Sequence, residues 1–245
     1  MRLTLFLALS LFLSAQSSLE VEITAEPHHR VILTNEQVRV FSVEVPPHGE
    51  TLMHRHHHDY IFVTLAPSEV VNAIEGRAPI AMTLRDGDTG FLPGNFVHVV
   101  RNQSATPLRN TTIEVLQDAK LRQTPSPWDE DRGLDILQGG TRQILWVHDG
   151  IRASVFELQP GGAVPAHRSA GPQLFVAASE LDLRSDRPLK SAVPIAVPAH
   201  FKSGDVTWLP AGELPRMTNS GHTAAKFVTL EFPGTIQGHA ANRSK

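Results

Sequence analysis

The sequence predicts an all-β protein in which one strand-rich unit occurs twice. Three observations carry this reading. Short alternating apolar runs, such as Arg39-Val40-Phe41-Ser42-Val43-Glu44-Val45 and Lys226-Phe227-Val228-Thr229-Leu230-Glu231-Phe232, are bounded by glycine and proline, the pattern of half-buried strands. No long stretch keeps the helical period of about 3.6 residues. The stretch Gly87 to Asn102, GDTGFLPGNFVHVVRN, returns in its frame as Gly204 to Asn219, GDVTWLPAGELPRMTN. Many short strands with frequent turn signals point to antiparallel barrels or jelly rolls.

Taken in order, the 245-residue chain opens with Met1-Arg2, an apolar run from Leu3 to Leu13, and Ser14-Ala15-Gln16-Ser17. Residues 1–17 read as a secretory signal peptide, because the apolar run falls short of the roughly 20 residues that span a bilayer. A periplasmic or secreted protein with no membrane attachment in its mature form is expected. The absence of cysteine means no disulfides and no thiol for a lipid anchor. With 22 basic against 25 acidic side chains and no polycationic tract, nothing here attracts nucleic acid. The expected partners are a metal ion and a small molecule, and the expected assembly is a monomer or a homodimer.

The first unit is expected over residues 18–122, a linker over 123–140 and the second unit over 141–240. Val38-Arg39-Val40 recurs as Ile151-Arg152-Ala153, Phe62 as Phe175, Glu44 as Glu157 and Glu114 as Glu231. The linker reads QTPSPWDEDRGLDILQGG, rich in proline, glycine and acid. An insertion between Leu183 and Ala199, with Pro188, Pro194 and Pro198, reads as an irregular loop.

Chemistry concentrates in Met53-His54-Arg55-His56-His57-His58-Asp59-Tyr60, which runs into the apolar strand Ile61-Phe62-Val63. On a strand, residues two apart share a face about 6.8 Å apart, so two imidazoles can converge on one ion. Either His54 with His56 or His56 with His58 satisfies this. The repeat favours His54 and His56, because His54-Arg55 aligns with His167-Arg168 and His56 with Ser169. His57 then faces outward, and alternation turns Asp59 away from the face shared by His54, His56 and Tyr60.

The Gly87 to Asn102 stretch resembles the second signature motif of the cupin family, and the histidine segment resembles the first, where two histidines one residue apart precede a glutamate. The resemblance covers nearly the whole chain after residue 17 and implies a bicupin: two tandem cupin-type β-barrels of the double-stranded β-helix or jelly-roll kind. It implies His54, His56 and His98 as metal ligands, with Tyr60 standing where the family's fourth ligand, a glutamate, would be. Three neutral imidazoles suit a divalent transition metal, iron first, with zinc, manganese, nickel and copper also accommodated. In the second copy His167, Ser169, Gln173 and Pro215 occupy the corresponding positions, so no metal is expected there.

Two functions fit. One is a mononuclear metal-dependent enzyme, a dioxygenase-like oxidoreductase acting on a small molecule, with Tyr60 and His58 as catalytic side chains and Phe62, Phe91, Phe96 and Val97 as apolar wall. The other is a non-catalytic periplasmic binding or sensing protein. The chain has no G-x-S-x-G elbow, phosphate loop or cysteine nucleophile, so catalysis would run through the metal. His28, His29, His148, His200, His222 and His239 are expected at surface or capping positions, and the recurring pairs Glu44/Glu157 and Glu114/Glu231 in structural roles.

Overall fold

The computed structural model describes residues 20–117, 133–187 and 199–234. The expected signal peptide, the linker before Gly133, the middle of the proline-rich insertion and His239 lie outside the described residues. Everything described is strand and turn apart from a single 3-10 turn, Ile23–Ala25.

In chain order the first half supplies β1 (Val21–Glu22), β2 (His29–Thr34), β3 (Val38–Val45), β4 (His54–His56), β5 (Tyr60–Thr64), β6 (Ser68–Ile74), β7 (Ile80–Leu84), β8 (Thr89–Leu92), β9 (Phe96–Asn102) and β10 (Leu108–Val115). They form two five-stranded sheets, β2-β3-β10-β5-β8 and β1-β4-β9-β6-β7. The second half supplies β11 (Leu134–His148), β12 (Ile151–Val164), β13 (His167–Ser169), β14 (Gln173–Ala177), β15 (Leu181–Ser185), β16 (Ala199–Phe201), β17 (Val206–Leu209), β18 (Gly212–Leu214), β19 (Met217–Asn219) and β20 (Ala225–Glu231). Here one sheet runs β16-β15-β19-β12-β20-β14-β17, with β11 on β12, and β13 pairs with β18 alone. The order β3-β10-β5-β8 therefore recurs as β12-β20-β14-β17.

The recurring motif residues explain themselves in this geometry. Gly87 at φ +83° and Gly204 at φ +96° turn the chain where a side chain would be strained. Each donates its N–H to a strand carbonyl at 2.8 Å, Thr64 O and Ala177 O respectively. The following aspartates close the turns, Asp88 accepting from Arg85 N at 2.8 Å and Asp205 from Lys202 N at 2.7 Å. Asn102 donates its amide to Val45 O at 3.2 Å and Thr106 O at 2.8 Å, and Asn219 donates to Leu158 O at 2.9 Å and Thr223 O at 2.8 Å.

One apolar core serves both halves. Val38, Val40, Ile61, Val63 and Ile113 pack in one cluster with Ile151, Ala153, Leu174, Val176, Val228 and Leu230. At its margin Lys226 lies 3.2 Å from Asp86 and 2.9 Å from Glu157, and Trp146 donates its indole N–H to Thr89 Oγ1 at 2.6 Å. Separate clusters fill the interior of each half, one around Phe41 and Leu108 and one around Phe156, Phe175 and Phe227.

Two expectations change. Leu134 to Gly140, expected in the linker, is the start of β11, paired with β12 through Gln138↔Ala163 and Gly140↔Leu158 around a register shift. The glycines that read as a linker serve a bulge and a close backbone approach, Gly139 lying at φ +66° against Gly162. In the second copy Leu214, rather than Pro215, stands in the place of His98, since His167 pairs with Leu214 as His54 pairs with His98.

Because both halves share a core, urea unfolding should remain a single transition. Leu230→Ala, which empties a fully buried position in that core, should cost about 2–5 kcal/mol. A variant whose transition splits in two would show that the halves unfold independently.

Candidate metal centre

The site begins with a strand too short to stand alone. β4 has three residues, and its two flanking partners hold it, β1 in parallel and β9 antiparallel. The β4–β9 register sets His54 directly opposite His98. Alternation then brings His56 to the same side as His54, and Arg55 to the other, where it pairs with Glu20. One ligating nitrogen from each of His54, His56 and His98 lies within 4.8 Å of the other two, and all three residues are buried.

The nitrogens are prepared for a cation. His54 donates Nδ1–H to Leu52 O at 2.8 Å, an acceptor with no alternative role. His98 donates Nδ1–H to Asn72 Oδ1 at 2.8 Å, both side chains buried. Each ring therefore turns an unprotonated Nε2 inward, and these two lone pairs face one another at 3.0 Å. Two neutral acceptors at that distance repel unless a cation lies between them. Metal–nitrogen bonds of about 2.1 Å end about 3.0 to 3.4 Å apart for angles between square and tetrahedral. His56 Nδ1 is also buried without a hydrogen-bond partner, a costly state for a polar atom. The donor set fits a divalent transition metal.

Burial keeps the imidazoles neutral. Desolvation first, then the neighbouring His29, lowers His54 to about 4. Desolvation, followed by His98 and His54, drives His56 far lower, and desolvation followed by His54 holds His98 well below the ordinary range.

Tyr60 replaces a carboxylate with an aromatic face. Its ring stacks on His56, centroids 4.1 Å apart at 20°, and burial holds its phenol well above the usual value and so protonated. It can donate a hydrogen bond but adds no charge. Asp59 is committed elsewhere, its Oδ1 accepting from Gly94 N at 2.7 Å. Gly94 approaches so closely that a side chain there would run into the His58 carbonyl. His57 is exposed and pairs with Glu22 at 3.0 Å.

A cavity of about 280 Å³ opens beside the triad, and His56, His98, Tyr60, Phe62 and Phe91 are among its lining residues. His58 and Val97 do not line it. Phe96 does not line it either, but its ring stacks on His56, centroids 5.5 Å apart, and meets His98 edge-on at 5.0 Å. The expectation for His29 is overturned: it is buried, lines this cavity, and its ring centre lies 4.8 Å from that of His54. Its Nδ1–H donates to Glu26 at 2.6 Å, and Glu26 also accepts from His28 N and Leu52 N. His29 reaches the site because β2 crosses the triad from the facing sheet. The only sequence signal was a histidine at the start of a strand, three residues after a glutamate. His200 is exposed and pairs with Asp182 at 3.0 Å, as a surface histidine would.

Among its described residues the second half has no counterpart of the triad. His167 keeps the bond of His54, donating Nδ1–H to Pro165 O at 3.0 Å, but Ser169 binds Glu231 and Leu214 is apolar.

No protein-family model matches the chain, and no curated protein is similar to it. Solved structures show the fold. An oxalate decarboxylase of Bacillus subtilis aligns over 81% of this chain and 70% of its own, at 11% identity and a TM-score of 0.58. The vicilin of Solanum melongena covers 82% and 75%, at 13% identity and 0.61. AerE of Microcystis aeruginosa covers 84% and 97%, at 14% identity and 0.56. All three are cupin-superfamily proteins, and the fold of this chain is the cupin fold.

Asn72→Ala should leave the fold intact and loosen metal binding about 10- to 100-fold, the usual effect of removing a partner that orients a ligand, as read by chelator competition. In metal-free protein, an unfolded histidine takes a proton near 6.5 while folded His54 resists until about 4. The unfolded state therefore binds more protons in that window, and stability is lost as pH falls from about 6.5 toward about 4. Urea midpoints measured at pH 7, 5.5 and 4.5 should fall in that order, less steeply in His54→Asn.

Proposed function

We propose that the chain is an exported bicupin in which the first barrel is a mononuclear metal-dependent enzyme acting on a small molecule, with dioxygenase-like oxidoreductase chemistry, and the second is a metal-free companion. One observation carries the metal: two inward Nε2 lone pairs held 3.0 Å apart by fixed Nδ1 donors, with His56 beside them. The cavity against the triad supports a substrate site, and the repeated strand order supports two barrels.

His54, His56 and His98 would hold the ion, iron in this reading. When bound, it would supply Lewis acidity and one-electron chemistry toward dioxygen. The remaining work falls to the chain. Leu52 O and Asn72 keep two ligand rings in the metal-binding tautomer. Three neutral imidazoles leave the charge of a divalent ion uncompensated, which favours a substrate that brings an oxygen donor. Tyr60 offers a protonated phenol at the cavity wall, and Phe62 and Phe91 keep water out. Tyr60 lines the cavity and His58 does not, which supports Tyr60 over His58 as a side chain that meets the substrate.

Elemental analysis of protein purified without added metal or a histidine tag should find about one equivalent of iron, lost in a His54→Ala/His98→Ala double variant. Oxygen uptake with phenols and dicarbonyls as substrates should follow the iron content. Wild-type protein that takes up no metal would defeat the enzymatic reading, and zinc or nickel in iron's place would defeat its dioxygenase part.

A further inference from the structure

The cavity is far more apolar than a site for a small dianion needs to be. Val43, Val45, Val70, Met82, Leu84 and Val100 are among its lining residues, and no lysine, arginine, aspartate or glutamate is among the lining residues described. Most of the polar lining is already committed. Thr51 Oγ1 accepts from Val100 N at 3.0 Å, Asn72 Oδ1 accepts from His98, and Asn110 Oδ1 accepts from Thr112 at 2.9 Å. Besides the amide nitrogens of Asn72 and Asn110, the polar groups left to a ligand are those of the triad, Tyr60 and His29.

His29 is held for this place. Glu26, itself buried, takes Nδ1–H at 2.6 Å and is fixed by two backbone donors. The ring is wedged between Phe41, centroids 5.9 Å apart in an edge contact, and His54. With the ring neutral, Nε2 is an acceptor, and it has no hydrogen-bond partner among the described residues. Its nitrogens do not join the close group formed by the three ligands. A residue that touches the cavity and the ligand set, but does not complete that set, is placed to orient what the metal binds.

We propose, on the reading of the triad as a metal site, that the substrate is a compact molecule with one hydroxyl-bearing polar end and an aromatic or branched aliphatic body. The polar end would meet the metal and donate its hydroxyl to His29 Nε2, while the body fills the valine, leucine and methionine wall. Burying such a body is favourable at about 25 cal/mol per Å². A small dicarboxylate would leave that wall unfilled, and no lysine or arginine lines the cavity to meet its second carboxylate, which costs free energy. His29 is a positioning and specificity residue in this scheme, and Glu26 fixes its tautomer.

The test compares two chelating probes on full-length protein loaded with cobalt(II), followed by its visible absorption: 4-nitrocatechol, which has a ring body, and oxalate, which has none. Azide, small enough to report the metal alone, serves as control. Nitrocatechol should bind at least about tenfold tighter than oxalate. His29→Ala should weaken nitrocatechol about fivefold, the share of one hydrogen bond, with azide affinity and cobalt stoichiometry unchanged. His29→Gln, which restores an acceptor, should recover part of the loss.

Oxalate binding as tightly as nitrocatechol, or equal nitrocatechol affinity in His29→Ala and wild type, would overturn the inference while leaving the metal site standing. A parallel loss of azide binding in His29→Ala would reduce His29 to a structural support and overturn it too. Failure of cobalt to bind at all would sink the metal reading and the inference together.

Discussion

The site depends on one register. His54 stands opposite His98 across β4 and β9, and a slip of one residue would turn the ligands of β4 to the other face. The pairing brings together side chains 44 positions apart, and the geometry then follows from the rings' own hydrogen bonds. The second half shows what the same frame yields with different residues. Its equivalent strand pair sets His167 against Leu214, and a hydroxyl replaces the second ligand. A cupin-like frame therefore supplies positions, and only the first copy fills them with nitrogen donors.

Neutrality is the second constraint. Buried imidazoles are useful to a metal only if they arrive without protons, and desolvation enforces that here without a carboxylate ligand. Tyr60 continues the same logic, because it covers His56 with an aromatic face and stays protonated. Glu26, a buried carboxylate beside His29, is spent on that ring and two backbone amides. Charge is kept off the ligands and used to fix a neighbour.

Much of this was legible in the sequence because it is local. Alternation within His54-Arg55-His56 gave the two-ligand face, Gly87 and Gly204 marked turns that need positive φ, and Asn102 and Asn219 marked the same loop closure twice. What escaped was long-range. His29 has no ligand-spaced partner in its own strand, and only the packing of β2 across the interior brings it to His54. The exchange of Leu214 for Pro215 escaped for a related reason, since a chain irregularity between β18 and β19 absorbs one residue that a straight alignment cannot see. The glycines before Gln143 read as a linker because composition cannot separate a flexible segment from a bulged strand.

The tether on β4 ties the metal site to the first described residues of the chain. Val21 and Glu22 pair with His54 and Arg55, Glu20 holds Arg55, and Glu22 holds His57. The ligand strand is thus clasped on its outer side by the first residues of the described fold. Loss of Glu20 to Glu22 would free the outer side of β4 and stop one residue short of Ile23, which is buried in the core of the first half. The N-terminal segment is in this sense a part of the metal centre, joined to it by backbone rather than by ligands.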